Sequence, residues 1–259
     1  MRALLALWVI AVAVAGCGAT AGSRAPRRQA PITASPEARA VVDAPARSPQ
    51  DRQLDARRRP AELLTFLGIA PGMRVGELMA GAGYTAELLA RAVAPNGVVY
   101  AQNPRVILEG SGEQWATRLA TPPARNIVRV DRELDDPFPP EARNLDVVVI
   151  NLVYHDTVWL AVDREKMNRA VFGALRSGGK YAVIDHSARS GKGIADVQTL
   201  HRIDEAVVRD EVRRAAFVLE TGASFLRNPS DMRDWNDSPA APPERRGTSD
   251  RFVLLFAKP

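Results

Sequence analysis

Strand-like and helix-like segments alternate from residue 50 to the end of the chain, and this alternation constrains the fold more than any other feature. It is typical of a parallel sheet that is covered by helices. Residues 145–150 are apolar except for Asp146, as expected for a central strand with both faces buried. The segments predicted as strands are 73–78, 98–101, 126–130, 145–150, 180–184, 224–227 and 251–257.

Apolar residues at helical spacing lie between most of these strands. No helix-like segment separates the last two strands, so they are predicted to form an antiparallel pair. The predicted fold class is α/β, with a seven-stranded, mostly parallel sheet, a C-terminal antiparallel strand pair and helices on both faces. The predicted helices span 61–67, 84–93, 106–119, 157–175 and 196–216.

The first residues resemble a bacterial lipoprotein signal. An early Arg2 and an apolar run too short to span a bilayer precede VAGC at 14–17, which resembles a lipobox. We expect residues 1–17 to be a signal peptide and Cys17 to become lipidated, which would attach the protein to a membrane of the cell envelope. Gly18 favours the outer membrane, and an uncleaved apolar anchor is the alternative.

Residues 18–49 are rich in Pro, Ala and Arg, and they are predicted to be a tether before a domain at 50–259. The formal net charge is +5 and the pI about 9.8, values that can indicate nucleic-acid binding. The excess, however, lies in residues 18–60, which leaves the rest of the chain close to neutral. We therefore expect no nucleic-acid partner, and attraction of the tether to anionic lipids is the simpler interpretation.

A glycine-rich turn follows the first predicted strand, where residues 77–84 read ELMAGAGY. Glycine allows unusual backbone angles and close approach of a ligand, and amides at a helix start can bind a negative group. Gly81, Gly83 and Ala86 also satisfy the GxGxxA pattern of dehydrogenases. The turn by itself therefore leaves a nicotinamide-dependent reductase open.

Further features resemble class I S-adenosylmethionine-dependent methyltransferases. LRSGGK at 175–180 is similar to the LxPGG turn before their fifth strand, and the terminal strand pair is similar to their reversed hairpin. ELMAGAGYT at 77–85, NPSD at 228–231 and SDRFVLLFAKP at 249–259 resemble a group of predicted bacterial methyltransferases. The resemblance covers residues 50–259. It implies a Rossmann-like class I methyltransferase fold and S-adenosyl-L-methionine as the cofactor.

The resemblance also implies cofactor-binding residues, namely Glu77, Met79, Ala80, Gly81, Gly83, Tyr84, Asn103, Asp131 and Asn151. Glu77 stands where the family contacts the amino-acid end of the cofactor. Met79 replaces the first glycine of the loop, and Asn103 replaces the acid that binds the ribose, so Asn103→Asp is expected to tighten binding. Asp131 would lie near the adenine, although a solvated loop carboxylate is an equal alternative.

Polar residues follow the fourth and fifth strands, as NLVYHD at 151–156 and DHS at 185–187. The carboxyl ends of parallel strands border the ligand crevice, so His155, His186 and Asp156 are the candidate catalytic residues. A neutral imidazole there could remove a proton from the acceptor. Hydrogen bonding to loop backbone is an equal alternative. A metal site with His155, Asp156 and His186 as ligands is a weaker alternative, because no known ligand spacing supports it.

The remaining candidates have weaker support. His201 is predicted to be a packed or rim residue inside the last helix, and Tyr154 and Trp159 are either pocket walls or core residues. The loop DWND at 234–237 is either a lid or an ordinary surface loop.

The sequence leaves two functions from different classes. The first is an S-adenosylmethionine-dependent methyltransferase that acts on a small-molecule or envelope acceptor. The alternative is a membrane-tethered, catalytically silent protein that binds a nucleoside-type ligand with the same fold. Export separates a protein from the cytoplasmic cofactor pool, and Asn103 lacks the charge of the usual acid, so both observations favour the alternative. The oligomeric state is not predicted.

Overall fold

The computed structural model describes residues 31–259. The predicted signal peptide, Cys17 and the first part of the predicted tether lie outside the described residues, so these assignments stay predictions.

The described chain forms one sheet with helices on both faces. No helix within residues 31–259 is both long and apolar enough to cross a membrane. The helices are α1 (Pro36–Val42), α2 (Pro49–Arg58), α3 (Pro60–Leu67), α4 (Tyr84–Val93), α5 (Arg105–Leu119), α6 (Asp156–Trp159), α7 (Arg164–Ala174), α8 (Val197–Leu200) and α9 (Glu205–Arg214). The strands are β1 (Arg74–Leu78), β2 (Val98–Asn103), β3 (Ile127–Asp131), β4 (Leu145–Asn151), β5 (Leu175–His186), β6 (Val218–Ala223) and β7 (Arg251–Ala257).

The sheet has seven strands in the order β3-β2-β1-β4-β5-β7-β6. Strands β1 to β5 run parallel, whereas β7 runs antiparallel to both β5 and β6. The predicted fold class is therefore confirmed, including the antiparallel pair at the C-terminal end.

Strand β4 explains why a parallel sheet follows from this sequence. Val147 and Val149 are buried on the face that α4 covers, and Val148 and Ile150 are buried on the face that α7 covers. Successive strand residues point to opposite faces, so a strand with helices on both sides needs an unbroken apolar run. Burying one such side chain stabilises the fold by roughly 1.5–3 kcal/mol.

The segment predicted as a tether is folded from Ile32 onward, which moves the start of the domain before residue 50. Ser35 and Ser48 accept hydrogen bonds from the first turns of α1 and α2, and each precedes a proline suited to a helix start. Val42 packs into the apolar core, and the buried Arg47 forms two hydrogen bonds with Asp55. Capping and long-range contacts thus outweigh a composition that is typical of a linker.

Three predicted elements differ from the structure. The predicted helix 157–175 is divided into α6 and α7 because Asp163 caps a new helix start, and 196–216 is divided into α8 and α9 because Asp204 does the same. The strand predicted at 224–227 is wrong, since β6 ends before it.

Candidate active site

A cavity of about 730 Å³ opens at the carboxyl ends of β1, β4 and β5. This is the edge at which loops follow the parallel strands of an open α/β sheet. Helix α2, the loop before β7, Trp159 and His201 supply further walls. The predicted site residues that line the cavity are Glu77, Met79, Ala80, Gly81, Asn151, His155, Asp156 and His186.

Glu77 ends β1 as a buried carboxyl group, with only 3% of its surface exposed. Burial raises the pKa of Glu77 to about 8, although Thr85 and Arg58 oppose the shift. Its Oε2 atom has no hydrogen-bond partner within residues 31–259. Asn151 lies nearby and donates to the Thr85 hydroxyl at 3.3 Å. The site therefore holds a buried carboxyl group with one unpartnered oxygen, which a positively charged hydrogen-bond donor would satisfy once the group has released its proton.

The turn after β1 is shaped by side chains of β2. Met79 takes the left-handed conformation (φ 50°) in place of a glycine, and its amide donates to Gln102 Oε1 at 3.1 Å. Gly81 is also left-handed (φ 58°), and the space beside its Cα is open. The amides of Met79, Ala80, Gly81 and Gly83 all donate to protein acceptors. These four amides are thus used within the protein, and the turn presents an open surface beside Gly81.

Asn103 lies behind this turn and not in the cavity. It is fully buried, its Oδ1 accepts from Gly81 N at 2.8 Å, and its Nδ2 donates to Gly81 O at 3.0 Å. Both kinds of hydrogen-bonding group on the side chain are therefore occupied by the turn. The structure places Asn103 as a support of the loop, which differs from the predicted ribose contact.

Gly83 and Tyr84 also support the site from outside the cavity. A Cβ on Gly83 would collide with the ring of Trp115, so glycine is needed for α5 to pack here. The Tyr84 hydroxyl donates to Asp55 at 2.7 Å, and the Arg58 guanidinium lies 4.6 Å from the centre of the tyrosine ring. These contacts fix α2 against the start of α4.

Asp131 ends β3 on the surface. Its side chain is 43% exposed and pairs with Arg129 at 2.8 Å. It does not line the cavity. This position agrees with the alternative of a solvated carboxylate.

All three histidines of the chain meet at one end of the cavity. The ring centre of His155 lies 5.7 Å from that of His186 and 5.4 Å from that of His201. His201 was predicted inside a helix, but it ends α8 in the left-handed conformation (φ 52°). The apolar spacing continues through residue 201 and gives no sign of this break, so the capping residue Asp204 is the signal that could have revealed it.

His155 is held between two carboxylates. Its Nδ1 lies 2.8 Å from Asp185 Oδ1, and its Nε2 lies 3.1 Å from Asp156 Oδ1. Burial disfavours the charged ring, but Asp185 and Asp156 outweigh it and raise the pKa of His155 to about 10. Both ring nitrogens of His155 are thus paired with carboxylates, an arrangement that favours the charged ring over the neutral base of the prediction.

His186 is anchored by the C-terminal loops. Its Nδ1 lies 2.9 Å from Ser249 Oγ and 2.5 Å from Asp237 Oδ2. Asp237 belongs to the segment 234–237, so that segment forms part of the cavity wall. Trp235 of the same segment lies over the Arg202 guanidinium.

Tyr154 and Trp159 have different positions. Tyr154 is fully buried, and its hydroxyl donates to Glu211 at 2.8 Å, so it is a core residue. Trp159 lines the cavity, is 47% exposed, and donates its indole N–H to Asp156 at 2.9 Å.

Comparisons with known proteins agree with this architecture. No protein-family model and no curated protein matches the sequence. A crystal structure of an S-adenosylmethionine-dependent methyltransferase from Aquifex aeolicus superimposes with a TM-score of 0.58 at 15% identity, covering 81% of this chain and 95% of that one.

Two other solved structures are similar. A chain of the Haloferax volcanii complex that contains the methyltransferase activator Trm112 gives a TM-score of 0.57 at 14% identity, covering 88% of this chain and 99% of that one. TrmN from Thermus thermophilus gives a TM-score of 0.51 at 16% identity, covering 76% of this chain and 47% of that one. The sheet order and these likenesses show that the chain has the Rossmann-like class I methyltransferase fold.

Proposed function

We propose that this protein is an S-adenosylmethionine-dependent methyltransferase that acts on a small-molecule or envelope acceptor. One observation carries the proposal, namely the unpartnered Oε2 atom of the buried Glu77 at the cavity. Leaving a buried acceptor unsatisfied costs about 1–3 kcal/mol. The protonated amine of the cofactor would supply the missing donor.

The other residues at this end of the cavity suit the same ligand. Gly81 has no Cβ to obstruct close approach, and Arg58 lines the cavity beside Glu77, where a cation suits the ligand's carboxylate. The cavity volume of about 730 Å³ is within the range of roughly 300–1,000 Å³ typical of ligand sites. When bound, the cofactor supplies an electrophilic methyl group on its sulfonium.

The histidine end of the cavity is the proposed acceptor site. Asp156 and His186 line it and provide polar atoms that hold an acceptor, while the charged His155 fixes the position of Asp156. Holding the acceptor in line with the methyl group is the main task of the protein, because the displacement is sensitive to alignment. The predicted catalytic roles of His155, His186 and Asp156 stay predictions.

Equilibrium dialysis of the full-length protein with labelled S-adenosylmethionine, NADH and NADPH tests the proposal. Only the first compound is expected to bind, and Glu77→Gln is expected to weaken its binding at least tenfold, or about 1.4 kcal/mol. Transfer of a labelled methyl group to a small-molecule or envelope fraction would establish catalysis. Binding of NADH or NADPH instead would overturn the assignment of the cofactor.

One observation favours the silent binding protein as a second candidate. Asn103 is bonded to Gly81, so the end of β2 presents no acid to a ribose in the cavity. Binding of S-adenosylmethionine without transfer to any fraction would support this candidate over the enzyme.

We also propose attachment to an envelope membrane, with the outer membrane favoured, through lipidated Cys17. A Cys17→Ser variant should then leave the membrane fraction and lose incorporation of a labelled fatty acid. Equal incorporation in both proteins would contradict lipidation.

A further inference from the structure

We propose that His155, Asp156 and His201 form a binding site for a divalent transition-metal ion at the histidine end of the cavity. Each residue offers one ligand atom, and these atoms all lie within 4.8 Å of one another. Two imidazoles and one carboxylate suit Zn²⁺ and its first-row neighbours, whereas Mg²⁺ and Ca²⁺ prefer oxygen ligands.

The distances between these atoms are close to those around a bound metal. In a tetrahedral site with bonds of 2.0–2.1 Å, neighbouring ligand atoms lie about 3.3 Å apart. His155 Nε2 and Asp156 Oδ1 are 3.1 Å apart, and His201 Nδ1 lies 3.9 Å from the same oxygen. Only a small movement of the partly exposed His201 side chain is needed to complete the set.

Asp185 provides the support that ligating histidines usually have. A histidine that binds a metal through one nitrogen commonly donates its other ring N–H to a carboxylate. His155 Nδ1 lies 2.8 Å from the fully buried Asp185, and the amides of His155 and His186 donate to the same carboxylate. This arrangement directs Nε2 of His155 toward Asp156, and an ion bound there would displace the Nε2 proton to solvent.

His186 belongs to the cluster but not to the proposed ligand set. Its Nδ1 is occupied by Ser249 and Asp237, and its ring nitrogens are not among the atoms that lie within 4.8 Å of one another. It is therefore a matched control, with the same side chain in the same cavity.

Three protein ligands leave a coordination position for an exogenous group, as in catalytic zinc sites. Asp156 and His201 both line the cavity, so this position would face it. A hydroxyl, thiol or water that binds the ion there would lose its proton more readily, because the cation stabilises the anion. Resting on the proposed methyl transfer, the acceptor at the histidine end would therefore carry a hydroxyl or thiol group.

Zinc titration of the full-length protein tests the site. After metal removal, Zn²⁺ is added in competition with a chromogenic chelator, and Co²⁺ is used to record visible absorption. We expect about one ion per chain and a Co²⁺ spectrum of four- or five-coordinate geometry. His201→Asn and Asp156→Asn should each weaken binding at least tenfold, while His186→Asn should change it less than about threefold.

The variants are chosen so that the result does not depend on folding. Asn tolerates the left-handed backbone that His201 adopts, and thermal unfolding of each metal-free variant verifies its fold. If the wild type does not bind Zn²⁺ stoichiometrically, the proposed site is overturned. The cluster is then explained by the ion pairs of His155 alone. If His186→Asn weakens Zn²⁺ binding as much as His201→Asn and Asp156→Asn do, the proposed ligand set is wrong. The titration contains no S-adenosylmethionine, so its outcome is independent of the proposed cofactor.

Discussion

Asn103 and Gly81 are joined by two hydrogen bonds that run in opposite directions, from Gly81 N to Asn103 Oδ1 at 2.8 Å and from Asn103 Nδ2 to Gly81 O at 3.0 Å. An amide side chain can donate and accept in this way, whereas a carboxylate can only accept. The pair gives a structural reason for asparagine at a position where the resemblance implies an acid. It also couples the end of β2 to the turn that borders the cavity.

Asn103→Asp should destabilise the protein and should not tighten binding of S-adenosylmethionine, contrary to the expectation from sequence. The substitution places a buried carboxylate against the Gly81 carbonyl oxygen, at a cost of about 1–3 kcal/mol. Urea denaturation measures the loss. Asp131→Asn at the exposed end of β3 is the control and should change the free energy of unfolding by less than about 0.5 kcal/mol.

Glu77→Gln should stabilise the ligand-free protein increasingly as pH rises. The carboxyl titrates near 4.5 ordinarily and near 8 when folded. Between these values the folded state keeps a proton that the unfolded state has released, so stability falls as pH rises. The variant removes this loss, which is on the order of 4 kcal/mol by pH 8.

Denaturation of both proteins at pH 5 and pH 8.5 measures the effect of Glu77. The difference in the free energy of unfolding should be larger at the higher pH, and a difference that is equal at the two values would contradict the assignment. The wild type should also bind a cationic ligand more tightly at pH 8.5 than at pH 5, because Glu77 is converted to the negatively charged carboxylate over this range.

Gly81 and Gly83 should respond differently to substitution by alanine. Gly83→Ala forces a methyl group into Trp115 and strains a left-handed backbone (φ 82°), so it should destabilise the fold by about 2–4 kcal/mol. Gly81→Ala meets open space, so it costs only the backbone strain of about 1 kcal/mol while narrowing the approach to the cavity. Gly81→Arg should abolish binding of S-adenosylmethionine, and retained affinity in dialysis would exclude the turn as the cofactor site.

Asp51→Ala should weaken the attachment of α2 to the domain. Arg118 contacts Asp51 at 2.8 and 3.0 Å, and it also pairs with Glu87. Loss of the Asp51 carboxylate from this largely buried pair should cost about 1–3 kcal/mol in urea denaturation. The exposed Asp43 is the control, and an equal effect of Asp43→Ala would show that the ion pair contributes nothing specific.

The sheet could be predicted because its signals are local in sequence. A strand such as β4, buried on both faces, requires consecutive apolar residues, and the turn after β1 requires glycines. The antiparallel end also follows from a local feature, the absence of a helix-like segment before β7.

The missed features depend on contacts between distant residues. Helix α2 is fixed through Arg118, 67 positions away from Asp51, so its Arg-rich composition is typical of a linker when viewed alone. His201 enters the cavity because α8 stops there, and nothing in the apolar spacing of the region marks that stop. The charge on His155 likewise depends on Asp185, which comes from another strand.

The packing of Ile32 onto the core limits the length of chain that is left to connect the domain to Cys17. Whatever its conformation, that connection reaches no further than about 50 Å when fully extended. If Cys17 is lipidated as proposed, the domain is confined to a thin layer of solvent beside the bilayer. Acceptors embedded in the adjacent leaflet of the bilayer, or concentrated at its surface, would then meet the cavity far more often than solutes in bulk solution.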